Sequence, residues 1–354
     1  MTDRILSLFV GLTVLSGCSP DAPDIHTLCL RDAIGNYIIK WEMIPPVDGR
    51  VKIYVSRNPD KFNLKAAPAV QADIRRGMAA YITNDNAIRQ YFYLTFNDKA
   101  GQVTGARLVE MDSVLNLRDM GGYFNPDNRM TRWGMVYRSG DLSCLSTSDS
   151  LRLNGLGLKT VIDLRSSQEA ELKPLNLEGV NIFRLPLTAS TMDGILSFLH
   201  DERMRKGDAA VYMQDLYLKF ITENSEAFAQ ALRLFLDKTN YPILFSSALG
   251  KDGAGFLASL LLSALSVPDE TITDDYLESN NYVTFNRFAD IAGSLALSPE
   301  IEKALLVLLS ADEAFLSPLR QKIKADYDSF PHYLGSALGF SPKSCAKLQD
   351  ILLY

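Results

Sequence analysis

Histidine is scarce. The 354 residues include only His26, His200 and His332, and none stands beside a serine or cysteine in a nucleophile motif. Cysteine is scarce too: Cys18, Cys29, Cys144 and Cys345 lie at wide spacings that make neither a disulfide framework nor a metal-ligand set. No CxxC, HExxH or Walker sequence is present. These absences exclude the common zinc, redox and nucleotide sites, and neither a metal nor a cofactor is expected. Basic excess is lacking as well. A net charge of −6 and a pI near 5.3 argue against nucleic acid as a partner. There is no run of like charges, no internal repeat and no apolar run long enough to cross a bilayer.

The longest apolar stretch at the N-terminus, residues 5–15, follows Arg4 and precedes Ser16, Gly17 and Cys18. It has the length of a secretory h-region with small residues at its cut site. Leu15-Ser-Gly-Cys18 resembles a bacterial lipobox. That resemblance implies that residues 1–18 are a lipoprotein signal, that Cys18 is acylated, and that the membrane is a partner through that lipid. The other reading is a plain signal peptide with an incidental cysteine. The expected location is the cell envelope, facing the periplasm or held at the outer membrane. Cys29, Cys144 and Cys345 are then read as buried apolar residues.

Residues 19–24 are short, polar and proline-bearing, a tether. From residue 25 to about 110 the texture is β. Stretches 37–42, 51–56, 78–83, 91–96 and 103–109 are rich in β-branched and aromatic residues, with turn residues between them. Their spacing predicts a small all-β sandwich. Trp41 in an early strand and Tyr54 in the next resemble a fibronectin type III module. A spacer role is preferred for it over that of a binding arm.

Beyond residue 110 strands and helices alternate, and residues 111–354 are read as one α/β domain with a mostly parallel sheet and flanking helices. A helix is expected over 146–156, opened by Ser146 with Asp149 three residues on and closed at Gly157. Helical periodicity recurs over 190–238, and again over 275–285, 299–309, 312–327, 331–338 and 342–353.

The rest of the chain is organised around PILFSSALGKDGAG, residues 242–255, followed by the apolar run 256–265. It reads as a buried strand, a glycine-punctuated loop and a helix. A helix start aims unpaired N–H groups and partial positive charge at the loop, which describes an anion cradle. The loop consists of Ser246, Ser247, Ala248, Leu249, Gly250, Lys251, Asp252, Gly253, Ala254 and Gly255. Its wording resembles the phosphate loop HCxxGKDRTG of the atypical bacterial tyrosine and dual-specificity phosphatases. NLRDMGG (116–122), VYRSG (136–140) and VIDLR (161–165) resemble the segments that precede that loop in the same family.

The resemblance implies a tyrosine phosphatase-like fold and hydrolysis of phosphate monoesters through a cysteinyl-phosphate. It also locates the departures. Ser247 stands at the nucleophilic cysteine, Gly253 at the phosphate-binding arginine, Ser246 at the histidine and Ala254 at the threonine. Asp252 matches the position assigned the general acid. A serine hydroxyl needs an adjacent base, and Ser246 offers none. Gly253 cannot clamp a phosphoryl group. Asp252 is therefore read as a carboxylate capping the helix start, and Lys251 as a solvated lysine. Arg118, Asp119, Arg138, Asp163 and Arg165 are expected near the loop, in structural ion pairs.

The expected protein is a lipid-anchored pseudophosphatase that binds an envelope protein or a phosphorylated ligand. The alternative is an active phosphoric-monoester hydrolase with a noncanonical nucleophile such as Ser247.

Overall fold

The computed structural model describes residues 24–354 apart from 33, 87, 202, 204 and 293–296. The expected signal, most of the expected tether and Cys18 lie outside the described residues.

The first seven strands are β1 (Asp24–Arg31), β2 (Tyr37–Ile44), β3 (Arg50–Ser56), β4 (Val70–Asp73), β5 (Met78–Tyr81), β6 (Tyr91–Phe96) and β7 (Ala100–Gly105). They form two antiparallel sheets, β1-β2-β5 and β4-β3-β6-β7. Along β2, Tyr37, Ile39, Trp41 and Met43 point inward at every second position, as a half-buried strand requires. They meet Val51, Ile53, Phe92, Leu94 and Phe96 from the other sheet. The β6–β7 hairpin turns on Asn97 and Asp98, both at positive φ, the residue types that tolerate this best after glycine. β1 begins one residue earlier than the tether reading allows. The short, half-exposed β4 has no sequence counterpart among the expected strands.

The larger unit begins with β8 (Arg118–Asp119), β9 (Val136–Ser139), α1 (Thr147–Asn154), β10 (Thr160–Asp163), α2 (Ser167–Leu172) and β11 (Asn181–Arg184). Then come α3 (Thr191–His200), α4 (Lys206–Thr222), α5 (Ser225–Leu234), β12 (Ile243–Ser246) and α6 (Gly253–Ala264). It ends in α7 (Asp269–Glu278), α8 (Phe285–Ala292), α9 (Pro299–Leu309), α10 (Glu313–Tyr327), α11 (Phe330–Ser336) and α12 (Pro342–Leu352). The sheet order is β11-β10-β12-β9-β8, parallel except for the β8–β9 pair. β9, β10 and β12 are buried throughout, so β10 and β12 read as short apolar stretches rather than alternations, while β9 buries Arg138 and Ser139. Successive side chains go to opposite faces. Val161 and Leu244 pack with Leu153 and Leu156 of the α1 side, while Ile162 and Phe245 join the core built on α4, α5 and α6.

Ser146 caps α1 by accepting from the Asp149 N–H, as its spacing indicates. The helix closes at Gly155, two residues before the expected Gly157. The expected 275–285 helix is two elements instead. α7 starts at Asp269 and ends at Glu278, because the Asn280 side chain pairs with the backbone of Ala311 at 2.7 and 2.8 Å and draws the chain away. Of the cysteines expected to be buried, Cys29 is, Cys345 is half-buried and Cys144 is exposed.

The sandwich meets the larger unit along a packed seam. Arg89 pairs with buried Asp119 at 2.9 Å, and the Tyr91 and Tyr137 hydroxyls lie 3.2 Å apart. Trp133 packs against the backbone of Gly121 and Gly122, where an added Cβ would come within 2.7 and 2.3 Å of its ring. The double glycine of NLRDMGG thus makes room for an indole. Starting the chain at Asp112 would uncover Trp133, Met130 and Tyr137 and remove Arg89 from Asp119. The shortened chain is expected to fold but to lose roughly 2–5 kcal/mol of stability in urea denaturation. Stability equal to that of the full chain would show that the seam contributes nothing.

Candidate active site

The parallel strands end in register: Asp163 pairs with Ser246, and Ser246 with Ser139. Ligands of such sheets bind beyond these carboxyl ends, and the loop of residues 247–252 lies there. It is tied on both sides. The Ser247 N–H donates to the Ser139 carbonyl at 3.2 Å, and the Leu164 N–H to that of Ser246 at 2.8 Å. Gly250 has φ +70°, and a Cβ there would stand 2.5 Å from the Ser139 backbone, so the turn admits only glycine. The Gly250 carbonyl accepts from Asn116 Nδ2 at 3.0 Å and Arg138 Nη2 at 2.8 Å.

Behind the loop is a buried ion cluster on Asp275. Arg118 reaches this carboxylate at 2.9 Å, Arg138 bonds its other oxygen, and the Tyr123 hydroxyl donates to it at 2.5 Å. Burial raises the pKa of Asp275, but Arg118 and Arg138 outweigh burial and hold it at about 2. Arg165 grips Asp163 with two hydrogen bonds of 2.9 and 2.8 Å. Asp119 accepts from Arg89 and from the N–H groups of Gly121 and Gly134. The side chains of Arg118, Asp163 and Arg165 thus stand in ion pairs at the strand ends without hydrogen bonding to the loop, Asp119 stands in one at the seam with the sandwich, and Arg138 alone of that group touches the loop.

Within the loop, the backbone N–H groups of residues 248–253 donate to no acceptor among the described residues. The backbone outline of a cradle is therefore present. Its side chains are another matter. Ser247 is 6% exposed, and its Oγ accepts from the Ala254 N–H at 3.3 Å. No imidazole or carboxylate lies within hydrogen-bond reach of that hydroxyl among the described residues: His26 is on β1, His200 ends α3 and His332 is in α11. Ser246 Oγ is buried and has no partner.

Asp252 and Lys251 differ from the expectation. Asp252 occupies the N-cap position of α6, yet its side chain makes no capping bond. Its carboxylate turns instead to Lys251 Nζ at 2.7 Å, to the Tyr217 hydroxyl at 2.6 Å and to the Thr191 hydroxyl. These three donors satisfy it better than the helix start would. Lys251 is fully buried rather than solvated. Burial lowers its pKa from the usual lysine value, and Asp252 opposes that. The one cation of the loop is thus paired within the loop.

At Gly253 the missing side chain has been replaced from elsewhere. A Cβ on Gly253 would lie 2.5 Å from Leu187 Cδ1, and Leu187 is itself buried. α2 and α3 also start at this end of the sheet, and each opens with a capping box, Ser166 with Glu169 and Ser190 with Asp193. Burial pushes Glu169 up from the usual carboxylate range, and Asp193 adds to this. The positive ends of these helices already hold carboxylates of the chain itself.

Leu187, Thr191, Tyr217 and Asp275 complete the site, and sequence reasoning missed all four. No local pattern marks them, because each reaches the loop only through the tertiary fold. No cluster of histidine, cysteine and carboxylates that could hold a metal occurs among the described residues.

Residues 109–354 match the tyrosine phosphatase family. A protein of Cupriavidus necator that carries the name of a tyrosine-protein phosphatase is 32% identical over 245 residues, covering 68% of this chain and 87% of its own. The triple specificity protein phosphatase PtpB of Mycobacterium tuberculosis is 31% identical over 255 residues, 63% of this chain and 92% of its own. Among solved structures, TpbA of P. aeruginosa in complex with phosphotyrosine aligns at 13% identity and a TM-score of 0.24, covering 53% of this chain and 94% of that one. On the family match and the two sequence relatives, the chain belongs to the tyrosine phosphatase family.

Proposed function

We propose that this protein is a pseudophosphatase of that family, held at the bacterial cell envelope by lipid on Cys18 and acting there by binding an envelope protein or a phosphorylated ligand. The observation that carries the reading is the Leu187–Gly253 contact: an apolar side chain fills the space from which a phosphate-clamping arginine would rise. Ser247 without a base and Lys251 paired to Asp252 support it further. Phosphoryl transfer needs a nucleophile that ionises near neutral pH and a cation on the transferring group. Neither is free here. The test is hydrolysis of a small aryl phosphate by wild type beside Ser247→Ala. No turnover above buffer is expected. Substantial wild-type turnover that disappears in the alanine variant would overturn the reading and favour a serine nucleophile.

The strand order, three strands against four, supports the fibronectin type III likeness of the sandwich, whose role in this reading is to hold the larger unit away from the membrane. The net charge of −6 argues against nucleic acid as the protein's main partner. For the anchor, Cys18→Ala is expected to move the protein from the membrane to the soluble fraction. A variant that stays membrane-bound with its signal uncleaved would contradict acylation.

A further inference from the structure

We propose that the seam between the sandwich and the larger unit is a binding site for a small planar carboxylate. A cavity of about 240 Å³ lies there, bounded on one side by β1 and β7 and on the other by Met130, Trp133 and Tyr282. At the volume that water takes in the liquid, it has room for about eight molecules. β1 and β7 are the outer strands of their two sheets, and a single bridge, Cys29 to Ala106, joins them. Residues 27–31 of β1 and 102–105 of β7 line the cavity.

Three observations point to the ligand's chemistry. The first is an unmet donor. Trp133 lines the cavity at 4% exposure, and its Nε1 has no hydrogen-bond partner. Buried donors of this kind are rare; this one is closed off from the cavity as the structure stands, and an acceptor would satisfy it only if the indole turned toward the ligand.

The second is a guanidinium with donors to spare. Arg107 stacks 3.8 Å from the Tyr123 ring centroid and 5.6 Å from that of Trp133. Its Nη1 donates to the Gly121 carbonyl at 2.8 Å, and its Nε lies 3.9 Å from Glu278. Its Nη2 makes no hydrogen bond among the described residues. Glu278 is already engaged by Arg118 at 3.0 Å and by the Tyr282 hydroxyl at 2.8 Å. The linked cluster sets three guanidinium groups, Arg107, Arg118 and Arg138, against two carboxylates, Asp275 and Glu278, and so carries one positive charge in excess. Of the other charged residues that line the cavity, Arg31 adds a cation and the exposed Glu110 an anion, which leaves the balance unchanged.

The third is shape. Trp133 and Tyr282 bring two aromatic rings to the lining, suited to an aromatic or other planar body. A carboxylate on that body would accept from Arg107 Nη2, and from Trp133 Nε1 only once the indole has turned toward it.

The probes are benzoate, benzamide and benzylamine, which share a ring and differ in charge. They are titrated into the full chain and followed by tryptophan emission. The chain has two tryptophans, and Trp41 is sealed in the sandwich with its Nε1 on the Ile74 carbonyl, so a change reports Trp133. Benzoate is expected to saturate with a dissociation constant on the order of 1 mM, benzamide about tenfold more weakly, and benzylamine not at all. Arg107→Met is expected to weaken benzoate about tenfold. The proposal is overturned if benzylamine binds as well as benzoate, or if none of the three saturates. It is also overturned if a folded Arg107→Met binds benzoate unchanged, since the anion would then sit elsewhere, such as at the loop of residues 247–252. Should Arg107→Met not fold, the wild-type order of the three probes decides alone.

Discussion

Ser247→Cys, Gly253→Arg and Leu187→Ala in one chain are expected to cleave a small aryl phosphate, while each single variant stays at the wild-type background. The physical reason is that three changes act on one step. A cysteine at 247 supplies a nucleophile, and the six unengaged N–H groups of residues 248–253 favour its thiolate. Without an arginine, nothing clamps the transferring phosphoryl group, and loss of such a group typically costs a factor of about 10²–10³. An arginine at 253 in the presence of Leu187 would be crowded as it leaves the backbone, because its Cβ would sit 2.5 Å from Leu187 Cδ1. That methyl ends a flexible side chain and can shift, so the double variant with Leu187 retained is expected to turn over, but about tenfold or more below the triple. The effects are expected to be strongly non-additive, since groups acting in one transition state are worth little apart. A triple variant that folds, binds vanadate and remains silent would mean that Asp252, drawn off to Lys251, Tyr217 and Thr191, can no longer serve as the acid. A double variant as active as the triple would show that Leu187 is no obstacle.

Asp275→Asn is expected to cost about 3–5 kcal/mol and to lower the melting temperature by on the order of 10 °C. The carboxylate is the shared partner of two fully buried guanidinium groups, and the amide would leave Arg138 without a counter-charge and Arg118 with Glu278 alone. The pH dependence has a definite sign. The folded pKa of Asp275 is about 2, below that of a free carboxylate at about 3.9. Its contribution is therefore complete above about pH 4, declines as pH falls toward 2, and is absent below. Denaturation followed from neutral pH down to about pH 2 should show that decline in the wild type, and the asparagine variant should lack this part of it. A variant that melts within about 2 °C of wild type would mean that the two arginines find other partners, and the cluster would not be what fixes Gly250.

The parallel sheet was legible in the sequence because β10 and β12 are short apolar runs ending in polar residues, each followed by a helix start. The sandwich was legible through the alternation of β2 and the aromatic run of β6. Strands β4 and β11 were not, since Val70–Asp73 and Asn181–Arg184 mix polar and apolar residues on exposed sheet edges where packing imposes little pattern. The loop's backbone could be read from its glycines, but its electrostatics could not. A lysine beside an aspartate reads as solvent-facing. Here Tyr217 and Thr191, 35 and 61 residues away along the chain, give Asp252 the partners that let the pair be buried. Leu187 was invisible for the same reason: its importance lies wholly in what faces it.

The seam has a mechanical consequence. Asp119, which holds the sandwich through Arg89, is bonded in sequence to Arg118, which grips α7 through Asp275 and Glu278. Arg138, paired with Arg118 across β8 and β9, shares Asp275 and holds the Gly250 carbonyl. A torque applied to the sandwich would thus be borne by the two-residue strand β8, one peptide bond from the ion cluster that fixes the loop. The hinge about which the two units would have to turn is fully buried and held by ion pairs on both sides, so under load the chain should yield at its sandwich hairpins before its phosphate loop changes shape.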